Sequence, residues 1–445
     1  MSVKISIIGA GGACFTMSFM QDICRSEHLT DCTVCLMDIN EEKLNEAKAL
    51  ADRFIKEYGA NVRLEATMSR EEALRGAKYV INAALVIGND KYKEGIAIGK
   101  KHGYRFGGSL HIMHDEAFYI NFYQIRLMDE IVADMCKLCP DAYFLTVANP
   151  VQAGVTYLAR KHPNMKIVGM CPGAYCFFTY NIQRMKIDHS KATYDFAGVN
   201  HFIWLTKFEY EGKDAMPLLD SFIEEDYASQ PQYKNGRKQT MYETYRQHGM
   251  WPIGDTVTVG GGSWRWQYHT DTETEYQFNS PTDDVWEGYF KRCEQQIAFR
   301  KQLLEDKDLS VTEGKLPIEL DKTVELIESI ECDLGRVISV NVLNDKGYMK
   351  GLPTDYQTEI NAVIDKDGIH PIPNEGLPKH IMALLYRDRI APVEMELSAY
   401  ASGNKEQLLE LILMDPWTKS RPQAESFLDE ILSLPWNKQM KEFFH

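Results

Sequence analysis

Val3-Lys4-Ile5-Ser6-Ile7-Ile8 runs directly into Gly9-Ala10-Gly11-Gly12, and this stretch decides the fold. The first part is short, β-branched and largely apolar, which predicts a strand buried on both faces of a parallel sheet. The glycines predict a tight turn into a helix from Phe15 to Cys24. Glycine suits this turn because a Cβ would hold the backbone away from a pyrophosphate at the helix N-terminus.

The segments that follow extend this pattern to a dinucleotide site. A second strand, Thr33 to Met37, ends in Asp38, whose carboxylate can accept both ribose hydroxyls and would repel a 2′-phosphate. Cys14 stands where the fingerprint has a third glycine or alanine, and it is small enough for the helix to pack on the strand. We therefore expect NAD as the cofactor. The expected contact residues are Gly9, Gly11, Gly12, Asp38 and Asn82.

Strands and helices alternate along roughly the first 170 residues, which is typical of an α/β fold. We predict a Rossmann-type doubly wound parallel sheet over residues 1–170 and a mixed α+β catalytic domain over residues 171–445. In the second part, antiparallel strands are expected from Arg336 to Leu343 and from Thr358 to Ile364.

Composition and charge restrict the class of protein. The 445 residues are 44% hydrophobic and 25% charged, with a net charge of -15, so no positive surplus exists for nucleic acid or an anionic membrane. The N-terminus does not resemble a signal peptide, and no apolar run is long enough for a membrane span. Ten scattered cysteines favour free thiols in the cytoplasm. Two Cys-x-x-Cys pairs, Cys32/Cys35 and Cys136/Cys139, are too far apart for a zinc ribbon and are expected to be ordinary thiols.

Candidate metal ligands occur between residues 148 and 201. Asn149-Pro150 follows an apolar run, and Cys171 and His201 come after it. Cys and His readily share a soft or borderline metal ion. Taken alone, however, such a pair is more often a buried thiol and a hydrogen-bonded core histidine. The local pattern leaves both interpretations open.

One enzyme class that fits the first motifs is the 2-hydroxyacid dehydrogenases of the malate and lactate type. They share a Rossmann start and an Asn-Pro turn, and they need a His paired with a carboxylate and an Arg for the substrate carboxylate. This chain is considerably longer than that activity requires. Cys171 and His201 would also have no role.

From end to end the sequence resembles glycoside hydrolase family 4, the NAD-dependent and usually manganese-dependent glycosidases. The residues that carry the resemblance are Lys4–Gly12, Asp38, Ala148–Val151, Cys171, Gly198-Val199-Asn200-His201-Phe202-x-Trp204 and Val363–Pro371. The resemblance implies an architecture like that of lactate and malate dehydrogenases. It also implies hydride removal from sugar C3 by NAD, C2 deprotonation, elimination at C1, water addition and hydride return, rather than the usual carboxylate pair.

The resemblance also implies roles for individual residues. Cys171 and His201 match the metal ligands, Mn²⁺ being the family's usual ion, and Asn149 matches the Asn that contacts substrate hydroxyls. For the C2 base, Asp255 fits the loop used by the branch that acts on non-phosphorylated α-glycosides. Tyr242 and Tyr245 are the competitors, and a turn aspartate is the alternative for Asp255.

Pro172 departs from the family pattern, which commonly has Asp, His or Asn directly after the metal-binding Cys. Proline cannot protonate a leaving group. The acid is then expected elsewhere, and the candidates are His111, His114, Asp115 and Glu116. This departure also leaves open an NAD-binding sensor without activity.

The substrate is the least determined part of the prediction. No basic cluster plainly grips a 6-phosphate, although Arg105 or Arg265 could contact an anionic sugar, and Arg265 could face a uronate carboxylate. We therefore expect a non-phosphorylated α-glycoside or a uronide, with a 6-phospho-glycoside as the alternative. By resemblance, a homodimer or homotetramer is expected.

Overall fold

The computed structural model describes residues 3–12, 15–229, 240–256, 266–278, 282–312 and 322–445. Two residues named above, Cys14 and Arg265, lie outside these ranges. In the described part of the chain, no helix is long and apolar enough to cross a membrane.

The strands within the described ranges are β1 (Val3–Ile8), β2 (Cys32–Met37), β3 (Val62–Thr67), β4 (Tyr79–Asn82), β5 (Tyr143–Thr146), β6 (Lys166–Gly169), β7 (Ala192–Val199), β8 (Phe202–Tyr210), β9 (Lys213–Asp214), β10 (Pro252–Ile253), β11 (Arg336–Leu343), β12 (Gln357–Asp365) and β13 (Gly368–Pro371).

The α-helices are α1 (Phe15–Arg25), α2 (Glu41–Tyr58), α3 (Arg70–Leu74), α4 (Gly88–Lys101), α5 (Leu110–Met113), α6 (Phe118–Leu138), α7 (Val151–Lys161), α8 (Gly173–Met185), α9 (Met216–Ser229), α10 (Thr240–His248), α11 (Thr272–Gln277), α12 (Thr282–Glu305), α13 (Thr323–Cys332), α14 (Lys379–Leu385), α15 (Ala391–Ser402), α16 (Lys405–Leu413), α17 (Arg421–Leu432) and α18 (Lys438–Phe443). A π-helical turn, Tyr386–Ile390, joins α14 to α15.

A large mixed sheet has the strand order β13-β12-β11-β6-β5-β4-β1-β2-β3. Strands β1 to β6 pair with one another in parallel, with β1 between β2 and β4. The order therefore reverses at β1, and loops on the carboxyl side of β1 and β4 enclose the crevice in which such sheets bind ligands. This arrangement confirms the predicted Rossmann-type sheet.

The sheet continues into the second part of the chain. β11 pairs antiparallel with β6 and β12, and β12 pairs antiparallel with β13. The strands predicted from Arg336 and from Thr358 are confirmed. The division at residue 170 falls just after β6 and remains a prediction, since one sheet spans both sides of it.

Apolar side chains on both faces of the parallel strands explain why helices pack on both faces of the sheet. On one face, Ile5 and Ile7 belong to a core that includes Phe19 of α1 and Phe54 of α2. On the other face, a core of Ile8, Val80, Met128 and Val155 joins the sheet to α6 and α7. Burial on both faces leaves the carboxyl edge of the strands as the accessible part of the sheet.

Candidate active site

The glycine turn after β1 packs directly on the residues that follow β4. Gly9 has a φ of +83°, and a Cβ there would lie 2.4 Å from the Cα of Ala84. The backbone N–H of Gly11 donates to Oδ2 of Asp38 over 2.8 Å. The close approach requires glycine, and the carboxylate of Asp38 lies beside the turn. Its role in binding the ribose remains a prediction.

Arg300 of α12 supports the same turn from the other side. Its side chain is buried, and Nη1 donates to the carbonyl oxygen of Gly12 over 2.9 Å. Asn82, at the end of β4, donates to Oγ1 of Thr146 over 3.2 Å. Asn82 thus joins the ends of β4 and β5 below the predicted cofactor site. Arg300 was missed because it is distant from the motif in the sequence.

Exposed apolar side chains border the glycine turn. Ile39 and Met68 follow β2 and β3, and Leu85 and Val86 follow β4; their exposed fractions are 82%, 49%, 56% and 41%. Apolar side chains this exposed at a sheet edge offer a surface for an aromatic base. Together with the close-packed glycine turn and Asp38, they form a surface that suits a dinucleotide.

Three potential metal ligands converge at the carboxyl edge of the sheet. Cys171 follows β6, His201 lies in the turn between β7 and β8, and Asp255 follows β10. One ligand atom from each lies within 4.8 Å of the others. Thiol, imidazole and carboxylate form a donor set that suits a divalent transition metal.

The position of Asp255 depends on pairing and on two glycines. Ile253 of β10 pairs with Ile203 of β8, which carries the following turn past His201. Gly254 has a φ of +57°, and a Cβ there would lie 3.0 Å from the backbone of Gly173. A larger residue would push the Asp255 turn away from the turn that bears Cys171.

The backbone of His201 has an uncommon conformation, with a φ of +60°. Arg389, a fully buried residue in the π-helical turn, donates from Nη2 to the carbonyl oxygen of His201 over 3.1 Å. Because π-turns insert one residue into a helix, they can aim a side chain that a regular helix would turn away. Arg389 thereby stabilises the strained backbone conformation of His201.

A buried carboxylate orients the imidazole of His201. Oε1 of Glu116 lies 2.8 Å from Nδ1, so Nε2 faces Asp255, whose Oδ2 is 3.7 Å away. Burial alone would raise the pKa of Glu116, but the hydrogen bond and charge of His201 outweigh it and lower that pKa. A carboxylate on the far nitrogen of a histidine is the usual outer contact of a metal-ligating imidazole. The cluster therefore fits a metal ion.

A second buried carboxylate, Glu359 of β12, lies behind the cluster. Asn200 Nδ2 donates to Oε2 of Glu359 over 3.1 Å, which ties the β7–β8 turn to the large sheet. Burial raises the pKa of Glu359 to about 7, against the lowering effect of that hydrogen bond. Burial and the charge of Glu359 also raise the pKa of the Cys171 thiol. A bound cation would offset the negative charge gathered here.

Asn149 and Asp115 meet at the same edge. Nδ2 of Asn149 donates to Oδ2 of Asp115 over 2.9 Å, and the other oxygen of Asp115 lies 2.5 Å from Nδ1 of His114. Burial would raise the pKa of Asp115, but His114, His201 and Asn149 together lower it to about 2. Asp115 is thus a carboxylate at neutral pH that accepts a hydrogen bond from Asn149, and its role as the acid remains a prediction.

Two family models match almost the whole chain. The model described as "Family 4 glycosyl hydrolase" matches residues 4–185, and the one described as "Family 4 glycosyl hydrolase C-terminal domain" matches residues 196–418. The chain belongs to glycosyl hydrolase family 4. The resemblance seen in the sequence motifs is confirmed.

Relatives within family 4 align along nearly their full length. An α-galactosidase of Bacillus subtilis (strain 168) is 26% identical over 97% of this chain and 96% of its own. An α-galacturonidase of Thermoanaerobacter italicus (strain DSM 9252 / Ab9) is 23% identical over 95% of this chain and 94% of its own.

Solved structures share the fold. A 6-phospho-α-glucosidase from gut microorganisms, in complex with NAD and Mn²⁺, has a TM-score of 0.79 at 16% identity and covers 99% of both chains. A malate dehydrogenase of Cryptosporidium parvum has a TM-score of 0.53 at 16% identity, covering 90% of this chain and 100% of its own. The second match confirms the predicted dehydrogenase-like architecture.

Three other residues predicted for a family 4 site lie in different surroundings. The hydroxyl of Tyr242 donates to Glu224 over 2.6 Å within an aromatic core, and mainly burial raises its pKa to about 12. Nδ1 of His111 lies 3.3 Å from Oε2 of the buried Glu396. Arg105 donates to the carbonyl oxygen of Thr270 over 2.7 Å and lines a cleft of about 400 Å³. Their predicted roles in catalysis and substrate binding remain predictions.

Proposed function

We propose that this member of family 4 is a glycosidase that depends on NAD and a divalent metal and cleaves α-glycosides of non-phosphorylated sugars or uronic acids. The observation that carries the proposal is the convergence of Cys171, His201 and Asp255 within 4.8 Å at the carboxyl edge of the sheet. That edge also bears the glycine turn and Asp38. The two expected reagents would therefore bind on the same side of the sheet.

Each reagent has residues that would hold it. The glycine turn and Asp38 would bind NAD, and Cys171 and His201 would bind Mn²⁺ or a similar ion. When bound, NAD supplies reversible hydride acceptance at sugar C3, and the metal supplies Lewis-acid polarisation of the C2 and C3 oxygens. Because Cys171 and His201 would supply only two ligands, coordination positions would remain for sugar oxygens.

Asp255 is the residue we assign to removal of the C2 proton. Its side chain is 40% exposed, whereas His201 beside it is almost fully buried. A base must reach substrate, and a partly exposed carboxylate next to buried ligands can do so. Tyr242 has its hydroxyl bonded to Glu224, and a pKa of about 12 suits a base poorly at neutral pH.

Asn149 is assigned to positioning the sugar. Its amide donates to Asp115, so the amide oxygen has a defined direction at the edge of the site. Amide groups fixed by a second hydrogen bond recognise hydroxyls with little loss of side-chain entropy. No such group stands at position 172, where Pro172 directly precedes α8. Leaving-group protonation is therefore assigned to a group outside the turn after β6.

The names of relatives support the proposed substrate class. Relatives that align over nearly the whole chain carry the names α-galactosidase, α-glucosidase and α-galacturonidase. A cytoplasmic location and a homodimeric or homotetrameric assembly are part of the proposal. The exposed free thiols of Cys136 and Cys332 support a reducing compartment.

A panel of nitrophenyl glycosides, including α- and β-anomers, uronides and 6-phosphates, tests the proposal. We expect cleavage of an α-glycoside or α-uronide only when NAD⁺ and Mn²⁺ are both present, with no net NADH. Cleavage restricted to 6-phosphates would correct the substrate class. Steady NADH production from a hydroxyacid would refute the glycosidase, and NAD binding without any turnover would favour a sensor.

A further inference from the structure

A Cys-His-Asp arrangement lies outside the candidate active site. Sγ of Cys136 is 3.8 Å from Nδ1 of His162, and Nε2 of His162 is 2.8 Å from Oδ1 of Asp129. One nitrogen of the imidazole thus contacts the thiol, a potential nucleophile, and the other contacts the carboxylate that orients the ring. This order is the general signature of an activated nucleophile.

The arrangement is accessible and distant from the glycosidase residues. Cys136 is exposed, while the side chains of His162 and Asp129 are 14% and 22% exposed. Cys136 and Asp129 lie on α6, and His162 caps the end of α7. Because β5 and β6 begin just after these helices end, the three side chains lie at the amino edge of the parallel sheet. The candidate active site is at the opposite edge.

The geometry favours one tautomer of His162. A proton on Nε2 can be donated to Asp129, which leaves the lone pair of Nδ1 for the thiol proton. Lys161 also pairs with Asp129, over 2.6 Å, and helps to hold that carboxylate in place. The partial negative charge at the C-terminus of a helix disfavours a thiolate. Contact with the imidazole of His162 counteracts this effect.

We propose that Cys136 is a modification site that undergoes reversible thiol–disulfide exchange with low-molecular-weight disulfides. The Cys136 sulfur attacks one sulfur of the disulfide, a new S–S bond forms, and the old S–S bond breaks. The thiol proton passes to Nδ1 of His162 and from there to the departing thiolate. Cys136 is oxidised to a mixed disulfide and the small disulfide is reduced, so no other reagent is needed.

The neighbouring Cys139 does not complete a dithiol pair. Its side chain is buried beside α6, with 7% exposed. Burial, followed by the charge of Cys136, raises the pKa of Cys139 to about 11. Cys139 therefore remains a protonated thiol at neutral pH. Because only a thiolate attacks a disulfide readily, Cys139 does not displace the small thiol that is bound to Cys136 in the mixed disulfide.

The chain contains a matched control for this chemistry. Cys332 is also an exposed free thiol at the end of a helix, but its sulfur lies 3.7 Å from the carbonyl oxygen of His28, which cannot act as a base at neutral pH. At pH 7 an ordinary thiol is only a few per cent thiolate. Activation by His162 is therefore expected to speed the reaction of Cys136 about tenfold over that of Cys332.

The experiment uses the full chain, glutathione disulfide as the probe, and peptide mass spectrometry to follow each thiol. We expect adduct at Cys136 about tenfold faster than at Cys332, with His162→Gln abolishing the difference and Asp129→Asn reducing it. Cys136→Ser should lose the fast adduct and keep glycosidase activity. Thermal unfolding checks that each variant folds, and the wild-type rates are informative without any variant.

Three results would overturn the proposal. Equal rates at the two thiols would show that the imidazole has no effect. An unchanged rate at Cys136 in a folded His162→Gln variant would also show that the imidazole has no effect. A Cys136–Cys139 disulfide in place of the mixed disulfide would show that Cys139 does attack.

Discussion

Replacing Glu116 by Gln tests whether the buried carboxylate sets the metal affinity of His201. The Nδ1 to Oε1 distance is 2.8 Å, and the two side chains are 8% and 2% exposed. Glutamine keeps an acceptor of nearly the same shape but removes the negative charge that increases the basicity of the imidazole. Loss of such outer contacts typically weakens metal binding about 10- to 100-fold.

The expected loss of Mn²⁺ affinity depends on which interaction each substitution removes. Glu116→Gln retains a neutral hydrogen bond, so we expect Mn²⁺ affinity to fall about tenfold, which corresponds to about 1.4 kcal/mol. Glu116→Ala removes the bond and leaves a buried imidazole N–H without an acceptor, so the loss should approach about 100-fold. NAD affinity should remain unchanged, because Glu116 bonds His201, whereas the predicted NAD contacts are in the glycine turn and at Asp38.

Isothermal titration calorimetry of the NAD-saturated protein with Mn²⁺ measures this effect without relying on turnover. Glu130→Gln is the matched control. Glu130 lies on α6, which begins two residues after Glu116, but its side chain is 59% exposed and pairs with Arg70. That variant should bind Mn²⁺ as the wild type does. A folded Glu116→Gln protein whose Mn²⁺ affinity lies within about twofold of wild type would refute the orienting role.

Three further predictions test other parts of the molecule. Cys171→Ser should abolish metal-dependent glycoside cleavage while NAD affinity, measured by calorimetry, stays within about twofold; unchanged turnover would contradict the metal assignment. Arg300→Gln should weaken NAD binding about tenfold because Nη1 no longer holds the carbonyl of Gly12, and a normal affinity would show that the turn is rigid without it. Burial raises the pKa of Asp415 from 3.8 to about 7, so its stabilising effect is full below about pH 4 and is lost as the pH rises through about 7. The free energy of unfolding of Asp415→Asn, measured in urea, should therefore change less than that of wild type between about pH 5 and about pH 8, and equal slopes would contradict the buried-acid interpretation.

The parallel sheet was predictable because its signal is local. A buried strand, a glycine turn and a terminal Asp38 each depend on neighbouring residues, and together they specify the crevice between β1 and β4. The extension of the same sheet by β11, β12 and β13 was not predictable. The apolar pattern of a sequence segment predicts a strand, but it does not show with which distant strand that segment pairs.

The metal candidates were predictable only in part. Cys171 and His201 were ambiguous as single residues, and the surrounding family motifs favoured the interpretation as metal ligands over that as core residues. Glu116 was named only as a possible acid, whereas the structure makes it the partner of His201. Arg389 gave no signal, because a single arginine in a helical segment does not reveal a π-helical turn or a contact 188 residues away.

The sequence by itself thus determined the dinucleotide fold, the family, and the identity of Cys171, His201 and Asp255 as candidates. Only the tertiary structure decided that these three converge, that Glu116 and Arg389 hold His201, and that Cys136 lies beside His162. The physical reason is range. Strand, turn and helix preferences act between near neighbours in the chain, whereas the charge, hydrogen bonding and burial that give a side chain its chemistry come from residues brought together by folding.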